Sequence, residues 1–133
     1  MNAPKHDSVL LNEVVATIAP RPGMHIIDAT FGSGGHSLAL LAHVLPGGKI
    51  VGIERDPEIF VRVPKAKGLR VVNDSYEQIA NIAKQQLGGK VDAVLFDFGI
   101  HSYHVDEATR GMRFRRTEPL DIRFAPDTHL PTA

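Results

Sequence analysis

The stretch DATFGSGGHS at positions 28–37 limits the possible folds of this chain more than any other segment. It begins inside MHIIDA (24–29), a short apolar run typical of a buried strand, and leads into GHSLALLAHVL (35–45), whose apolar positions recur at helical spacing. Glycine permits positive φ and leaves the backbone open to a ligand. The segment therefore predicts a strand, a glycine turn and a helix, and a turn required only by packing is the alternative explanation of the glycines.

Strand and helix patterns alternate along most of the chain. Three further apolar runs predict strands: KIVGIE (49–54), LRVVN (69–73) and VDAVLFDF (91–98). Helices are expected at about 8–19 with Asp7 or Ser8 as cap, in DPEIFVRV before Pro64, and at 75–87 with Ser75 as cap. Because parallel neighbours need crossover connections, this order predicts an α/β fold with a doubly wound parallel sheet and helices on both faces.

Length and composition narrow the class of protein. The 133 residues are expected to form a single domain, in which 99–133 is an irregular tail because its periodicity is lost. Fifteen basic residues balance fifteen acidic ones, so no overall field favours nucleic acid or membrane. The absence of cysteine excludes disulfides and thiolate chemistry, and with no signal-like start or long apolar stretch in the sequence, a cytoplasmic protein without a membrane anchor is expected.

The glycine turn and the end of the second predicted strand suggest a ribose-bearing cofactor. Gly32, Gly34 and Gly35 precede a helix whose first amides can face an anionic group. Glu54 follows about 20 positions later, where a carboxylate can accept hydrogen bonds from a ribose diol. The dinucleotide fingerprint needs a third glycine that is missing here, so the spacing favours S-adenosylmethionine over NAD. A solvated charge at a strand end is the alternative role for Glu54.

Six segments, in order, resemble the MraW/RsmH methyltransferase family. They are HDSVLLNEV (6–14), IDATFGSGGHS (27–37), GIERDP (52–57), FDFGIHSYHVD (96–106), RGMRF (110–114) and PLDIRF (119–124). The resemblance implies a Rossmann-like methyltransferase half-sheet that binds S-adenosylmethionine. It also implies methyl transfer to the exocyclic N4 of a cytosine in small-subunit ribosomal RNA.

The same resemblance implies the site residues. The cofactor-binding set comprises Gly32, Gly34, Gly35, His36, Glu54, Tyr76, Asp97 and His104. In this set the 34–36 segment would face the methionine moiety, and Tyr76 would stack on the adenine or else pack on the sheet. Asp97 is the predicted catalytic residue, with a strand-end cap as the alternative.

Two positions in the 96–106 segment depart from the family pattern. Tyr103 replaces a proline, and His104 replaces a glutamine that contacts the cofactor. A neutral imidazole can still donate one hydrogen bond and accept another, so cofactor binding by His104 remains the prediction. His101, His104 and Asp106 could also be read as a metal cluster, but polar surface is the favoured interpretation, and no metal is predicted.

A basic segment follows. The predicted RNA-binding residues are Arg110, Arg113, Arg115, Arg116 and Arg123. These arginines could contact phosphates, or they could pair with local carboxylates such as Glu118 and Asp121. Phe114 and Phe124 could likewise stack on bases or anchor the segment to the core.

Members of the resembled family continue beyond the segment that matches 119–124. The present chain is therefore expected to be a truncated domain in which VDAVLFDF is an edge strand, covered by a second copy, a protein partner or the tail. Two functions stay open on this evidence. One is an RNA methyltransferase or its cofactor-binding half, and the other is a non-catalytic module that acts in ribosome assembly or as an interaction protein.

Overall fold

The computed structural model of the chain describes residues 8–106, 110–113, 117–126 and 129. The elements in chain order are α1 (Leu11–Ile18), β1 (His25–Asp28), α2 (Gly35–Val44), β2 (Lys49–Glu54), α3 (Pro57–Phe60), β3 (Leu69–Asn73), a 3-10 turn (Tyr76–Gln78), α4 (Ile79–Leu87), β4 (Ala93–Leu95) and α5 (Ser102–Asp106). No helix in the described part of the chain is long and apolar enough to cross a membrane.

The four strands form one parallel sheet in the order β3-β2-β1-β4. Ile27 of β1 lies opposite Val51 of β2 on one side and Val94 of β4 on the other. The chain thus moves outward from β1 to β3 and then returns to the far side of β1. This reversal places a crevice between the carboxyl ends of β1 and β4, where ligands bind in open α/β sheets.

Helices cover both faces of the sheet because successive strand residues point to opposite sides. On one face, Ile26 and Ile50 pack with Leu40, Leu41 and Val44 of α2, and Val15 and Ile18 of α1 lie against them. On the other face, Ile27, Val51 and Ile53 pack with Ile82 and Leu87 of α4. The predicted doubly wound α/β architecture is confirmed.

The first helix begins later than predicted. It follows Leu10, which has φ 53° and provides no side-chain cap, while Asp7 lies outside the described residues. Ser8 packs instead against the start of α2, where an ideal Cβ on Gly35 would lie 1.9 Å from Ser8 Oγ. The predicted cap at Ser75 is confirmed, since its hydroxyl accepts a hydrogen bond from the amide of Glu77 at 3.3 Å.

The fourth strand is shorter than the predicted 91–98, and the described part of the 99–133 tail is more ordered than predicted. β4 ends at Leu95, because the Asp97 amide donates to Thr30 Oγ1 at 2.7 Å rather than to a neighbouring strand. Within the described residues β4 pairs only with β1, so it forms an edge of the sheet as expected. The supposedly irregular 99–133 region contains α5, and several of its side chains are buried against the turn after β2.

Candidate functional site

The candidate site lies at the carboxyl ends of β1, β2 and β4. The turn after β1 is held against β2, because the Phe31 amide donates to the Ile53 carbonyl at 3.0 Å and the Gly32 amide donates to Glu54 Oε2 at 2.9 Å. The second oxygen of Glu54 accepts from the Asp56 amide at 2.8 Å. Glu54 therefore joins the glycine turn to the turn that follows β2.

The Glu54 carboxyl is buried at the end of β2, where the sequence placed it. Burial raises its pKa above the ordinary value, and the amides of Asp56 and Gly32 act in the opposite direction. Each carboxylate oxygen can accept two hydrogen bonds, so both retain one acceptor position beyond these amides. The side chain therefore fixes the glycine turn and keeps acceptor capacity on both oxygens.

Packing constrains two of the three glycines in the turn. Gly34 has φ +84°, and an ideal Cβ there would lie 2.5 Å from the Phe31 ring. The same buried ring excludes a Cβ at Gly52 of β2, at 2.2 Å. At Gly35 an ideal Cβ would lie 1.9 Å from Ser8 Oγ, so a side chain there would require that hydroxyl to rotate away. Gly32 has more space, since its nearest neighbour would be His101 Cδ2 at 3.4 Å.

Phe31 was not singled out from the sequence, although it lies inside the glycine turn. Its ring sits between two glycines of neighbouring elements, and that contact is visible only once the turn and β2 are paired. The packing explanation that the sequence left open therefore accounts for Gly34, and ligand approach is not needed to explain that glycine.

His36 and Asp97 meet at the mouth of the crevice. His36 Nδ1 lies 3.9 Å from Asp97 Oδ2, and His36 Nε2 lies 2.8 Å from the Val9 carbonyl. The Asp97 side chain is 47% exposed, so its carboxylate can meet a ligand. Nearby Asp28 is buried, accepts a 2.7 Å hydrogen bond from Ser37 Oγ, and has a pKa raised by that burial. Of these two carboxylates Asp97 is the exposed one, and its catalytic role stays a prediction.

Tyr76 belongs to an exposed aromatic cluster with Phe96 and Phe98. Its ring centroid lies 5.9 Å from each phenylalanine in edge-to-face geometry, and the two phenylalanines stack at 5.3 Å. All three side chains remain partly exposed. Tyr76 therefore packs on residues that follow β4. In the sequence, the two phenylalanines of FDF are the feature that indicates this cluster.

His104 is buried and its described hydrogen bonds are made to other residues of this chain, so its predicted contact with the cofactor stays a prediction. Its Nδ1 accepts from the His101 amide at 3.0 Å, and its Nε2 lies 2.8 Å from Asp56 Oδ2. Because Nδ1 accepts, the ring proton belongs on Nε2. Both nitrogens of this buried imidazole are thus engaged within the protein. The physical reason for this orientation of His104 is that the buried Asp56 carboxylate must accept hydrogen bonds.

Arg110 is likewise internal. Its guanidinium donates to both Asp56 oxygens, at 2.6 and 3.2 Å, and lies 2.8 Å from Glu58 Oε1. Burial alone would raise the pKa of Asp56, but donors from Arg110, Glu58 and His104 outweigh burial and lower it. Burial would also lower the pKa of Arg110, and the two carboxylates raise it above its ordinary value. Arg110 is therefore a buried structural cation.

Two further predicted RNA-binding arginines, Arg113 and Arg123, also pair with local carboxylates. Arg113 contacts Glu118 and the carbonyls of Val105 and Asp106, and Arg123 contacts Asp121. The pairing alternative thus describes Arg110, Arg113 and Arg123 better than phosphate contact does. Arg115, Arg116 and Phe114 lie outside the described residues. Phe124 packs on His104 at 4.8 Å between ring centroids, so it anchors the segment.

The histidine side chains of the 96–106 segment accept hydrogen bonds from backbone amides of the same segment. His101 Nδ1 accepts from the Tyr103 amide at 3.1 Å, and Tyr103 itself donates from its hydroxyl to Glu58 Oε2 at 2.5 Å. In the part of the chain that the structure describes, no group of three or more histidine, aspartate or glutamate side chains has the geometry of a metal site.

The contacts of His104 predict an acid-sensitive contribution to stability. Burial lowers the pKa of its imidazole, although Asp56 acts in the opposite direction. The unfolded chain therefore binds this proton more readily, so the contribution is complete above the ordinary value of about 6.5 and is lost as pH falls below it. We expect the free energy of unfolding to fall more steeply between about pH 7 and about pH 5 in the native chain than in His104→Gln, by at most about 1.4 kcal/mol per pH unit.

Urea midpoints across this range would test the expectation, because glutamine keeps one donor and one acceptor without titrating. Asp28 and Glu54, whose raised pKa values act with the opposite sign, are common to both proteins. Their effect cancels in the difference. Parallel pH profiles would contradict the assigned role of His104.

Comparison with known proteins finds a family and relatives that this chain resembles. The model of the MraW methylase family matches residues 3–133. Proteins named ribosomal RNA small subunit methyltransferase H are similar to this chain. The one from Dictyoglomus thermophilum is 39% identical, with 96% of this chain and 45% of the relative covered, and the one from Rubrobacter xylanophilus is 40% identical, with 95% and 41% covered. The chain thus spans less than half the length of these relatives.

Proposed function

We propose, because this chain belongs to the MraW methylase family, that it is the cofactor-binding part of an S-adenosylmethionine-dependent methyltransferase of small-subunit ribosomal RNA. The observation that carries the proposal is that Glu54, the glycine turn and Asp97 lie at the carboxyl ends of β2, β1 and β4, which are neighbours in the sheet. This is the place where the fold offers a ligand site. Such a substrate would also place the protein in the cytoplasm.

The residues at the crevice fit the proposed cofactor. Glu54 has acceptor capacity for a ribose diol, and Tyr76 with its two phenylalanine neighbours offers exposed aromatic surface for an adenine. The bound cofactor supplies an electrophilic methyl group on a sulfonium. His36 lies beside Asp97, with 3.9 Å between His36 Nδ1 and Asp97 Oδ2.

Asp97 is the proposed catalytic residue. The acceptor implied by the family is the exocyclic amine of a cytosine, whose lone pair is delocalised into the ring. An exposed carboxylate that accepts a hydrogen bond from this amine localises the lone pair and holds the nitrogen in line for attack. Asp97 is placed for this work by the hydrogen bond from its amide to Thr30 Oγ1.

Calorimetric titration of the chain with S-adenosylmethionine tests the proposal directly. The diol role of Glu54 gives a sharper measurement, because the native chain should bind S-adenosylhomocysteine about tenfold more tightly than its 2′-deoxy analogue, a difference of about 1.4 kcal/mol. In Glu54→Ala, affinity for both ligands should fall and the difference between them should disappear. Equal affinity of the native chain for the two ligands would contradict the assignment of Glu54.

Turnover is expected to be weak. Arg110, Arg113 and Arg123 are paired with carboxylates of this chain, so these three predicted RNA-binding residues offer little cationic surface to hold RNA near the crevice. The remaining length of such a protein would supply that surface and a cover for the edge of β4. A radiolabel assay on small-subunit RNA, with Asp97→Ala as control, should give little signal, whereas robust transfer that the control loses would show this length to be sufficient.

The internal pairing of these arginines also favours a second candidate function. A module that binds the cofactor, or a partner in ribosome assembly, without transferring a methyl group needs no RNA clamp. The two candidates differ in the same assays. Transfer above the level of Asp97→Ala, even if weak, supports the enzyme. Cofactor binding with no transfer above that level, even to partly assembled subunits, supports the non-catalytic module.

A further inference from the structure

Arg110 joins two distant parts of the chain. Its guanidinium contacts Asp56, which follows β2, and Glu58 of α3, and it donates to the carbonyls of Arg123 and Phe124 at 3.3 and 3.0 Å. Its own carbonyl accepts from the amides of Asp121 and Ile122, at 3.2 and 2.8 Å. The residue is therefore fixed by the 117–124 segment on one side and by two carboxylates on the other.

Asp56 connects Arg110 to Glu54 at the crevice. Its side chain is fully buried and accepts hydrogen bonds from Arg110, His104 and the Glu58 amide. Its backbone amide donates to Glu54 Oε1, and Glu54 Oε2 accepts from Gly32. A continuous series of hydrogen bonds, each between 2.6 and 2.9 Å, thus runs from Arg110 through Asp56 and Glu54 to the glycine turn.

We infer that Arg110 is a positioning residue that holds Glu54 in its diol-binding orientation through Asp56. This inference deepens the proposed function and rests on it for the role of Glu54 in cofactor binding. It also replaces the phosphate contact expected for Arg110 from the sequence. The segment around 110–124 thereby becomes part of the support of the cofactor site.

The physical argument concerns a buried charge. Without the guanidinium, the Asp56 carboxylate would remain out of water with only a neutral imidazole and an amide as donors. A carboxylate in that position moves toward solvent or takes up a proton. Either change displaces the Asp56 backbone, whose amide fixes one oxygen of Glu54. Lysine is a poor substitute, since a single ammonium cannot bridge Asp56 and Glu58 as the planar guanidinium does.

The first test needs no cofactor. Amide hydrogen exchange should show that Arg110→Gln lowers the protection of the Gly32 and Asp56 amides by at least about tenfold, because both donate to Glu54. Arg113→Gln is the matched control. Its guanidinium is equally buried in the same segment, but its partners are Glu118 and the end of α5. The control should loosen those contacts and leave Gly32 protected.

The second test uses ligand discrimination. In Arg110→Gln, the roughly tenfold preference for S-adenosylhomocysteine over its 2′-deoxy analogue should shrink to less than about threefold, whereas Arg113→Gln should keep it. Should Arg110→Gln fail to fold, Arg110→Lys keeps a charge beside Asp56 and is expected to give an intermediate preference. A general loss of stability would lower both affinities equally and preserve their ratio.

The outcomes separate the two ideas. Unchanged Gly32 and Asp56 protection in Arg110→Gln, or an equal loss in Arg113→Gln, overturns the positioning role whatever the cofactor does. Loss of protection in Arg110→Gln alone supports it, even if the native chain binds no S-adenosylhomocysteine. In that last case the proposed function fails, and Arg110 retains its structural part of the inference.

Discussion

Gly34→Val is expected to destabilise the fold by about 2–5 kcal/mol, and to remove cofactor binding as a consequence. The left-handed backbone at φ +84° costs a β-branched residue about 1–2 kcal/mol. The new Cβ would also lie 2.5 Å from Phe31 Cζ, in a buried contact where overpacking costs about 1–3 kcal/mol. Urea unfolding monitored by circular dichroism would measure the loss.

Gly89→Val provides a matched control. Gly89 has φ +79°, but an ideal Cβ there meets no atom within 4 Å. This variant should therefore lose stability through backbone strain alone, and the difference between the two variants measures the contact with Phe31. Equal midpoints would show that the ring moves aside without cost and that the glycine turn is held by something else.

Asp56→Ala is expected to cost about 3–5 kcal/mol, because it leaves the buried Arg110 guanidinium without its main counter-charge. His104 loses the acceptor of its Nε2 proton in the same change. The 101–126 region should therefore detach from the turn after β2 before the sheet itself unfolds. Limited proteolysis combined with urea unfolding would detect this order as early cleavage within that region.

The comparison variant is Asp121→Ala. Asp121 also pairs with an arginine in the same region, but both side chains of its pair are partly exposed, at 24% and 21%. Solvent screens such a pair, so its removal should change the midpoint far less than removal of Asp56. A similar effect of both variants would mean that burial around Asp56 does not control the attachment of the region.

The sheet could be predicted from the sequence because its signals are local. Apolar runs such as KIVGIE carry their own pattern, and β2 and β3 begin and end where those runs do. β4 was predicted too long, since FDF looks like strand sequence. The hydrogen bond from Asp97 to Thr30 that ends β4 joins residues 67 positions apart. No window of a dozen residues contains both partners.

The site was predicted in part for the same reason. Glu54 and Asp97 follow strands, and the end of a strand is readable from local pattern. Arg110 and Asp56 lie 54 positions apart, and nothing in either segment alone says that the arginine is buried. A clue was available in the sequence, because two of the six family segments, GIERDP and RGMRF, contain the two halves of this ion pair. Arginines in a loop are expected to be exposed when only the sequence is known. Whether such an arginine is buried depends on the carboxylate with which it pairs.

The strand order affects how the chain folds while it is synthesised on the ribosome. β1, β2 and β3 are neighbours both in the sheet and in the order of synthesis, whereas β4 must return to the far side of β1. At translation rates of about 5–20 residues per second, one side of β1 therefore stays unpaired for roughly one to four seconds, from the synthesis of β3 until that of β4. During that interval the nascent chain exposes the unpaired edge of an apolar strand. A chaperone would protect the chain most in this period.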